Sequence, residues 1–171
     1  VNQKPENERT FISLHTPHFT KNATSIPKVK KKPKIGIIGD SIIKGVTAYD
    51  VRQHVNDATV FVRPTLSAKI DDFYHHLEPY FNEHPDIMYL HIASNDLSDS
   101  SFESIPATCE KYKNLIKYIQ DRDIIVVISL LTTRTDAYNG RVQDLNRALI
   151  ELCNNMSVNY VSNSNISVKC V

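Results

Sequence analysis

The segment Ile35–Ile43 reads IGIIGDSII, an apolar run that ends in Gly39-Asp40-Ser41 and is followed at once by a helix-like pattern. A short continuous apolar run is typical of a buried β-strand, and glycine and aspartate are common turn residues. This order predicts that the Ser41 hydroxyl lies at the carboxyl end of a strand, where the next helix begins. In open α/β sheets, ligands and catalytic groups collect at these strand ends.

Apolar runs alternate with helical patterns along the rest of the chain. A second run, Ile87–Ile92, ends in the polar cluster Ala93-Ser94-Asn95-Asp96. The pattern predicts amphipathic helices between strands over residues 34–39, 59–63, 86–92, 124–130 and 158–161. This alternation is typical of an α/β domain with a mainly parallel sheet. Continuous apolar runs predict strands that are covered on both faces.

Composition limits the class of protein. The chain has 171 residues, 41% of them hydrophobic, which is enough for one domain with a sizeable core. Its net charge of +1 gives no overall attraction to nucleic acid or acidic membranes. No apolar stretch approaches the roughly 18 residues that span a bilayer. The first ten residues are polar and lack a signal-peptide pattern, which favours an intracellular location.

The cysteines and the sequence motifs indicate no metal site and no cofactor. Cys109, Cys153 and Cys170 are odd in number and have no metal-ligand spacing, so we predict that they are reduced. The chain contains no phosphate-binding loop and no dinucleotide fingerprint.

Residues 1–33 lack apolar periodicity, and we predict a flexible polar and basic tail before a domain over residues 34–171. A lysine-rich run marks the boundary, formed by Lys28, Lys30, Lys31, Lys32 and Lys34. Such a run is either a weak RNA-contacting or nuclear-import patch or a solvated linker beside a strand.

The polar clusters after the strands have a catalytic and a structural interpretation. Ser41 is either a nucleophile at a helix N-terminus, where backbone N–H groups favour negative charge, or only the N-cap of a helix over about 42–55. Asn95 could donate a hydrogen bond to an oxyanion. Alternatively, Asn95 and Asp96 form an Asx turn or cap the helix that is predicted to start near Glu103.

Two charged residues follow the fourth predicted strand. Arg134 and Asp136 either line the rim of the same site or form a surface ion pair.

The order of Gly39–Ser41, a small-residue turn at Ser67–Ala68 and the pair Asn95–Asp96 resembles the SGNH (GDSL-like) hydrolases. The likeness covers residues 34–170 and includes segments 134–136 and 142–146. These segments resemble the SGNH-type domains of cnidarian and other invertebrate genomes, many of which lie in the first reading frame of non-LTR retrotransposons. The resemblance implies a flavodoxin-like three-layer α/β/α fold and hydrolysis of short-acyl or acetyl esters of small molecules or glycans, without a cofactor.

The resemblance also assigns roles to individual residues. It implies that the Ser41 hydroxyl is the nucleophile, which attacks an ester carbonyl. It implies an oxyanion hole formed by the Ser41 N–H, the Ser67 N–H and the Asn95 side chain. Asp40 and Asp96 would support these groups.

The chain departs from the family pattern at three points. Ser67 and Ala93 stand where the family has glycine, so a left-handed backbone at either position would be strained. The family's histidine base lies in an Asp-x-x-His block near the C-terminus, whereas this chain has no histidine after His91. We expect His91, within the third strand, to be structural, and we expect the chain as given to lack a catalytic histidine and aspartate.

These departures suggest a fragment that ends short of the histidine block and of the family's last helix, leaving one sheet face partly uncovered. Three hypotheses follow from the sequence. The domain is an SGNH-type esterase, or a non-catalytic SGNH-like module of a retroelement-derived protein with a binding or assembly role. In the third, the lysine-rich run contacts RNA and the domain is accessory.

Overall fold

The computed structural model describes residues 31–55, 57–164 and 166, which contain one sheet of five parallel strands in the order β2-β1-β3-β4-β5. The strands are β1 Lys34–Gly39, β2 Thr59–Pro64, β3 Ile87–His91, β4 Ile125–Ser129 and β5 Asn159–Val161. All five predicted strands are present, and no strand end differs from its prediction by more than one residue. The continuous apolar runs therefore marked the strands correctly.

Four α-helices connect the strands: α1 Ala48–Arg52, α2 Phe73–Phe81, α3 Ile105–Gln120 and α4 Asn139–Met156. The step from β1 to β2 runs in the opposite direction across the sheet from the three later steps. Because parallel crossovers are right-handed, α1 lies on one face of the sheet and α2, α3 and α4 lie on the other. The predicted three-layer α/β/α, flavodoxin-like arrangement is confirmed.

The segment after β1 differs from its prediction. Instead of one helix over about 42–55, the chain forms a 3-10 helix, Ser41–Gly45, and then the short α1. Val46 between them is extended, with φ −83° and ψ 124°. Thr47 begins α1, because its side-chain oxygen accepts a hydrogen bond from the Asp50 N–H at 3.1 Å. A glycine followed by two β-branched residues explains why the helix does not continue.

The two faces of the sheet are covered unequally. On the α2–α4 face, the strands bury Ile38, Met88, Leu90, Val126 and Ile128. On the α1 face, Val60 of β2 is buried, whereas the apolar side chains of the three central strands are only half-buried: Ile35, Ile37, Ile87, Tyr89 and Val127.

In the described part of the chain, the α1 face is therefore only partly covered, which agrees with the expectation that one sheet face is partly uncovered. The helix α1 contributes little cover, because it spans five residues and buries none of them. No helix within the described ranges has the length and apolar character needed to cross a membrane.

Candidate active site

The sheet reverses its strand order between β1 and β3, and polar segments follow both strands at this point. β1 and β3 are hydrogen-bonded neighbours, with Gly39 paired to His91 at their carboxyl ends. Ligand sites of open α/β sheets lie at such a switch point, outside the carboxyl ends of the strands. The topology therefore places Ser41 and Asn95 on the same edge of the sheet, as the sequence predicts.

Asp40 connects the two segments. Its side chain is fully buried and accepts hydrogen bonds from the Ile42 N–H at 3.0 Å and from the Ser94 N–H at 3.1 Å. The Asp40 N–H donates to the His91 carbonyl at 3.0 Å. Charge-assisted hydrogen bonds in a buried site are strong. Because Ile42 follows Ser41 and Ser94 precedes Asn95, the Asp40 side chain holds the Ser41 and Asn95 segments together.

Ser41 is the first residue of the 3-10 helix and is exposed. The N-cap of that helix is Asp40, so the interpretation of Ser41 as a helix N-cap is wrong. Ser41 lies on a cleft of about 340 Å³, whose other walls are Ile42 and residues 132–136. A serine hydroxyl is thus presented at an open cleft at the switch point of the sheet.

Asn95 and Asp96 hold the segment after β2 against the segment after β3. Asn95 is half-buried, and its Nδ2 donates to the Ala68 carbonyl at 2.9 Å. The buried Asp96 carboxylate accepts from the Ile70 N–H at 3.3 and 3.2 Å. Because an amide nitrogen has two hydrogens, the Ala68 contact leaves one Nδ2–H of Asn95 for another acceptor.

Neither of these residues caps the following helix. The N-cap of α3 is Ser104, whose hydroxyl accepts from the Ala107 N–H, so the capping interpretation of Asn95 and Asp96 is wrong. Burial raises the pKa of Asp96 to about 6, against the opposing effect of the hydrogen bond from Ile70.

The two residues that replace family glycines both have left-handed backbone conformations. Ser67 has φ 58° and Ala93 has φ 84°. This region costs a non-glycine residue about 1–2 kcal/mol, so both positions are strained. Neither residue lines the Ser41 cleft. Close packing also requires Gly39, because a Cβ there would lie 2.5 Å from the His91 carbonyl oxygen.

Arg134 and Asp136 fulfil both interpretations that the sequence left open. They line the Ser41 cleft, and the Arg134 Nε donates to both carboxylate oxygens of Asp136 at 3.0 Å. Arg134 also donates to the Ser94 carbonyl at 3.4 Å. The hydrogen bond from Arg134 lowers the pKa of Asp136, which makes this carboxylate a weak base.

No histidine lines the Ser41 cleft within residues 31–55, 57–164 and 166. His91 is buried, and its Nδ1 lies 2.9 Å from the Ser129 hydroxyl oxygen. Burial lowers the pKa of His91, against the opposing charge of Asp40. The described part of the chain therefore gives Ser41 no histidine base.

The lysine-rich run lies partly outside the described residues, which include neither Lys28 nor Lys30. Lys32 pairs with Asp57 at 3.2 Å, and Lys34 pairs with Glu83 at 2.6 Å. No group of metal-ligating side chains occurs in the described ranges.

Comparisons with known proteins support the fold. No protein-family model matches the sequence, and no curated protein matches it. A GDSL-like lipase from Bacteroides thetaiotaomicron has a similar structure, with a TM-score of 0.66 and 15% identity over 81% of this chain and 72% of that chain. This chain has the fold of the GDSL-like hydrolases.

Other structures with this GDSL-like fold are similar at the same level. A lipase/acylhydrolase from Enterococcus faecalis has a TM-score of 0.62 and 15% identity over 75% of both chains. A catalytic mutant of an acetylxylan esterase from Geobacillus stearothermophilus has a TM-score of 0.64 and 13% identity over 78% of this chain and 77% of that chain.

Sequence reasoning missed the residues that hold the site together through their backbones. The segment 132–133 lines the cleft, and the carbonyls of Ala68 and Ser94 accept hydrogen bonds from Asn95 and Arg134. No side-chain pattern signals these contacts, because any residue has a carbonyl. They become visible only when β1, β2, β3 and β4 are placed side by side.

Proposed function

We propose that this domain is an SGNH-type serine hydrolase that acts on carboxylic esters, with Ser41 as its nucleophile. The observation that carries the proposal is the position of Ser41, exposed on a cleft at the switch point of a GDSL-like fold. The Asp40 side chain accepts hydrogen bonds from Ile42 and Ser94, which holds the segment of Ser41 next to the segment of Asn95. Lipases and acetylxylan esterases share the fold, which supports ester hydrolysis over other reactions.

The proposed reaction has two steps. The Ser41 Oγ attacks the ester carbonyl carbon, its proton passes to a base, and the carbonyl oxygen becomes an oxyanion. The N–H groups of Ser41 and Ser67 and the free Nδ2–H of Asn95 stabilise this oxyanion. Collapse of the intermediate breaks the bond to the alcohol, which takes the proton from the base, and leaves an acyl-serine. Water then attacks the acyl carbon and gives a proton to the base, and the base returns it to the Ser41 oxygen as the carboxylic acid leaves.

The described residues provide no suitable base to accept the proton of Ser41. His91 is buried against Ser129, and Asp136 is paired with Arg134. A serine hydroxyl without a base is a poor nucleophile, so we expect slow turnover by this chain alone. Two structures of the Geobacillus stearothermophilus esterase are catalytic mutants, in which a serine or an aspartate is replaced by alanine.

Chemical rescue tests the proposal, because imidazole in solution can supply the missing base. We expect hydrolysis of p-nitrophenyl acetate to rise with imidazole faster in the wild type than in Ser41→Ala, whose rate reports the hydrolysis by imidazole that does not involve the serine. Asn95→Ala should lower the Ser41-dependent rate about 100- to 1,000-fold. Ser100→Ala changes an exposed serine away from the cleft and should leave the rate unchanged. Equal rates in the wild type and Ser41→Ala contradict the proposal.

The second candidate is a non-catalytic SGNH-like module of a retroelement-derived protein, with a binding or assembly role. The absence of a histidine from the described Ser41 cleft favours it. It predicts no imidazole-dependent rate and no covalent labelling of Ser41 by a fluorophosphonate. Stoichiometric labelling of Ser41 would exclude it.

RNA contact through Lys28, Lys30, Lys31, Lys32 and Lys34 remains a proposal. Lysine–phosphate contacts release counterions, so RNA affinity should fall as salt rises and should be lost when residues 1–33 are deleted. The ion pairs of Lys32 and Lys34 with Asp57 and Glu83 compete with such contacts.

A further inference from the structure

We infer that Arg134 is a positioning residue for the Asn95 side chain, the proposed side-chain donor to the oxyanion. This inference rests on the proposed function and adds to it a residue outside the proposed nucleophile and oxyanion hole. Arg134 lines the Ser41 cleft, and its Nη1 donates to the Ser94 carbonyl at 3.4 Å. That carbonyl belongs to the peptide group that joins Ser94 to Asn95. The contact therefore acts on the backbone from which the Asn95 side chain extends.

Ser94 is held at both backbone groups by side chains from two other strand ends. Its N–H donates to the buried Asp40 carboxylate at 3.1 Å, and its carbonyl accepts from Arg134. Asp40 follows β1, whereas Arg134 follows β4. Among the described residues, no other group donates to the Ser94 carbonyl. Because a peptide group is planar, a contact at this oxygen also restricts the orientation of the Asn95 N–H and Cα.

Arg134 is itself held in place by its own loop. Its Nε donates to both carboxylate oxygens of Asp136 at 3.0 Å, and its Nη2 donates to the same carboxylate. Its backbone N–H donates at 3.1 Å to the Oδ1 of Asn139, the first residue of α4. The guanidinium also lies 5.6 Å from the centroid of the Tyr138 ring. A planar guanidinium held at two nitrogens is pre-organised to direct the third at the Ser94 carbonyl.

The ion pair with Asp136 distinguishes this role from a direct effect of the Arg134 charge on the oxyanion. A cation beside the cleft stabilises an oxyanion through space most strongly when no carboxylate neutralises it. Asp136→Asn removes the neutralising charge and also weakens the contact that holds Arg134. A direct charge effect therefore predicts a faster reaction in Asp136→Asn, whereas a positioning role predicts a slower one.

The experiment measures kcat and KM for imidazole-dependent hydrolysis of p-nitrophenyl acetate by Arg134→Gln and Asp136→Asn, after subtraction of the Ser41→Ala rate. We expect kcat to fall about tenfold in Arg134→Gln and to a smaller extent in Asp136→Asn. KM should change less than about twofold, because a misplaced oxyanion donor affects the transition state more than substrate binding. The loss in Arg134→Gln should stay below that in Asn95→Ala, since Arg134 acts through Asn95.

The ion pair of Arg147 and Asp144 provides matched controls. It lies on α4 with its side chains 72% and 58% exposed, and neither residue lines the Ser41 cleft. Arg147→Gln and Asp144→Asn should therefore retain the wild-type kcat. NMR relaxation provides a second readout, because a mobile side chain has a lower heteronuclear NOE. The NOE of the Asn95 side-chain amide should fall in Arg134→Gln and remain unchanged in Arg147→Gln.

The outcomes separate this inference from the proposed function. Where the wild type shows Ser41-dependent hydrolysis, an unchanged kcat or an unchanged Asn95 NOE in Arg134→Gln overturns the positioning role and leaves the esterase proposal standing. A higher kcat in Asp136→Asn than in the wild type also overturns it, in favour of a direct charge effect. No Ser41-dependent hydrolysis by the wild type overturns the proposed function and with it any role of Arg134 in the reaction, whatever the NOE shows.

Discussion

Ser67 has a left-handed backbone conformation in an exposed turn after β2. Because glycine adopts this conformation without strain, we predict that Ser67→Gly raises the free energy of unfolding by about 0.5–1 kcal/mol, even after glycine's entropic cost. Urea unfolding measures the change. Ser100→Gly is the control, since Ser100 is exposed and has no positive φ; it should lose a few tenths of a kcal/mol, about glycine's entropic cost.

A lower free energy of unfolding for Ser67→Gly than for the wild type would contradict this interpretation. The same substitution tests function, since the Ser67 N–H is a proposed oxyanion donor. Glycine retains the N–H, so the imidazole-dependent rate should not fall.

Asp96 gives the stability a pH dependence. Burial raises the pKa of its carboxyl from the ordinary value of 3.8 to about 6. The folded state therefore holds this proton more tightly than the unfolded state, and its contribution to stability is present below pH 3.8 and is lost as the pH rises through 6. We predict that the free energy of unfolding of the wild type, relative to Asp96→Asn, falls by about 3 kcal/mol between about pH 3.5 and 7.

Urea unfolding across this pH range measures the difference between the two proteins. NMR titration of the Asp96 carboxyl carbon provides an independent value of its pKa. A carboxyl that titrates near its ordinary pKa of 3.8, together with parallel stability profiles of the two proteins, would show that burial does not control this group.

At the level of elements, the close approach of β1 and β3 depends on Gly39. A Cβ at this position would meet the His91 carbonyl oxygen at 2.5 Å and the Ile43 side chain at 3.0 Å. We predict that Gly39→Ala lowers the free energy of unfolding by about 3 kcal/mol or more, because a backbone atom cannot move away cheaply. It should also reduce the Ser41-dependent rate, since Asp40 would be displaced.

Gly140→Ala is the matched control in α4, where an added Cβ meets no atom within 4 Å. We expect it to stabilise the protein slightly, by about 0.5 kcal/mol, because alanine favours a helix. Thermal unfolding of both variants provides the comparison. Equal effects of the two substitutions would show that the gap between β1 and β3 does not restrict Gly39.

At the scale of the whole molecule, the α1 face of the sheet exposes apolar surface. Ile125 on β4 points to this face and is 55% exposed. Exposed apolar patches bind hydrophobic dyes and other apolar partners. We predict that Ile125→Lys reduces the fluorescence of bound 8-anilinonaphthalene-1-sulfonate and changes the free energy of unfolding by less than about 1 kcal/mol.

Leu66→Lys controls for added charge, because Leu66 is 60% exposed in the turn after β2 and not on that face. The dye fluorescence of this variant should equal that of the wild type. If both lysine variants lose the same fluorescence, the dye does not report the open face.

The strands could be read from the sequence because burial of a parallel strand requires a run of apolar residues, which is a local property. The break between the 3-10 helix and α1 was not predicted, although Gly45, Val46 and Thr47 mark it once it is known. The positions of Ser41 and Asn95 at strand ends were predicted for the same local reason. Their proximity also required the strand order, which periodicity does not contain.

The sequence by itself determined the α/β class, the strand bounds and the polar residues that follow β1 and β3. Only the tertiary structure decided that Asp40 bridges the segments of Ser41 and Asn95 and that Arg134 pairs with Asp136 at the Ser41 cleft. The physical reason is the distance along the chain over which each kind of interaction acts. Apolar periodicity and turn chemistry act between neighbours in the chain, whereas Asp40 and Ser94 are 54 residues apart. Folding the sheet brings them within a hydrogen bond of each other.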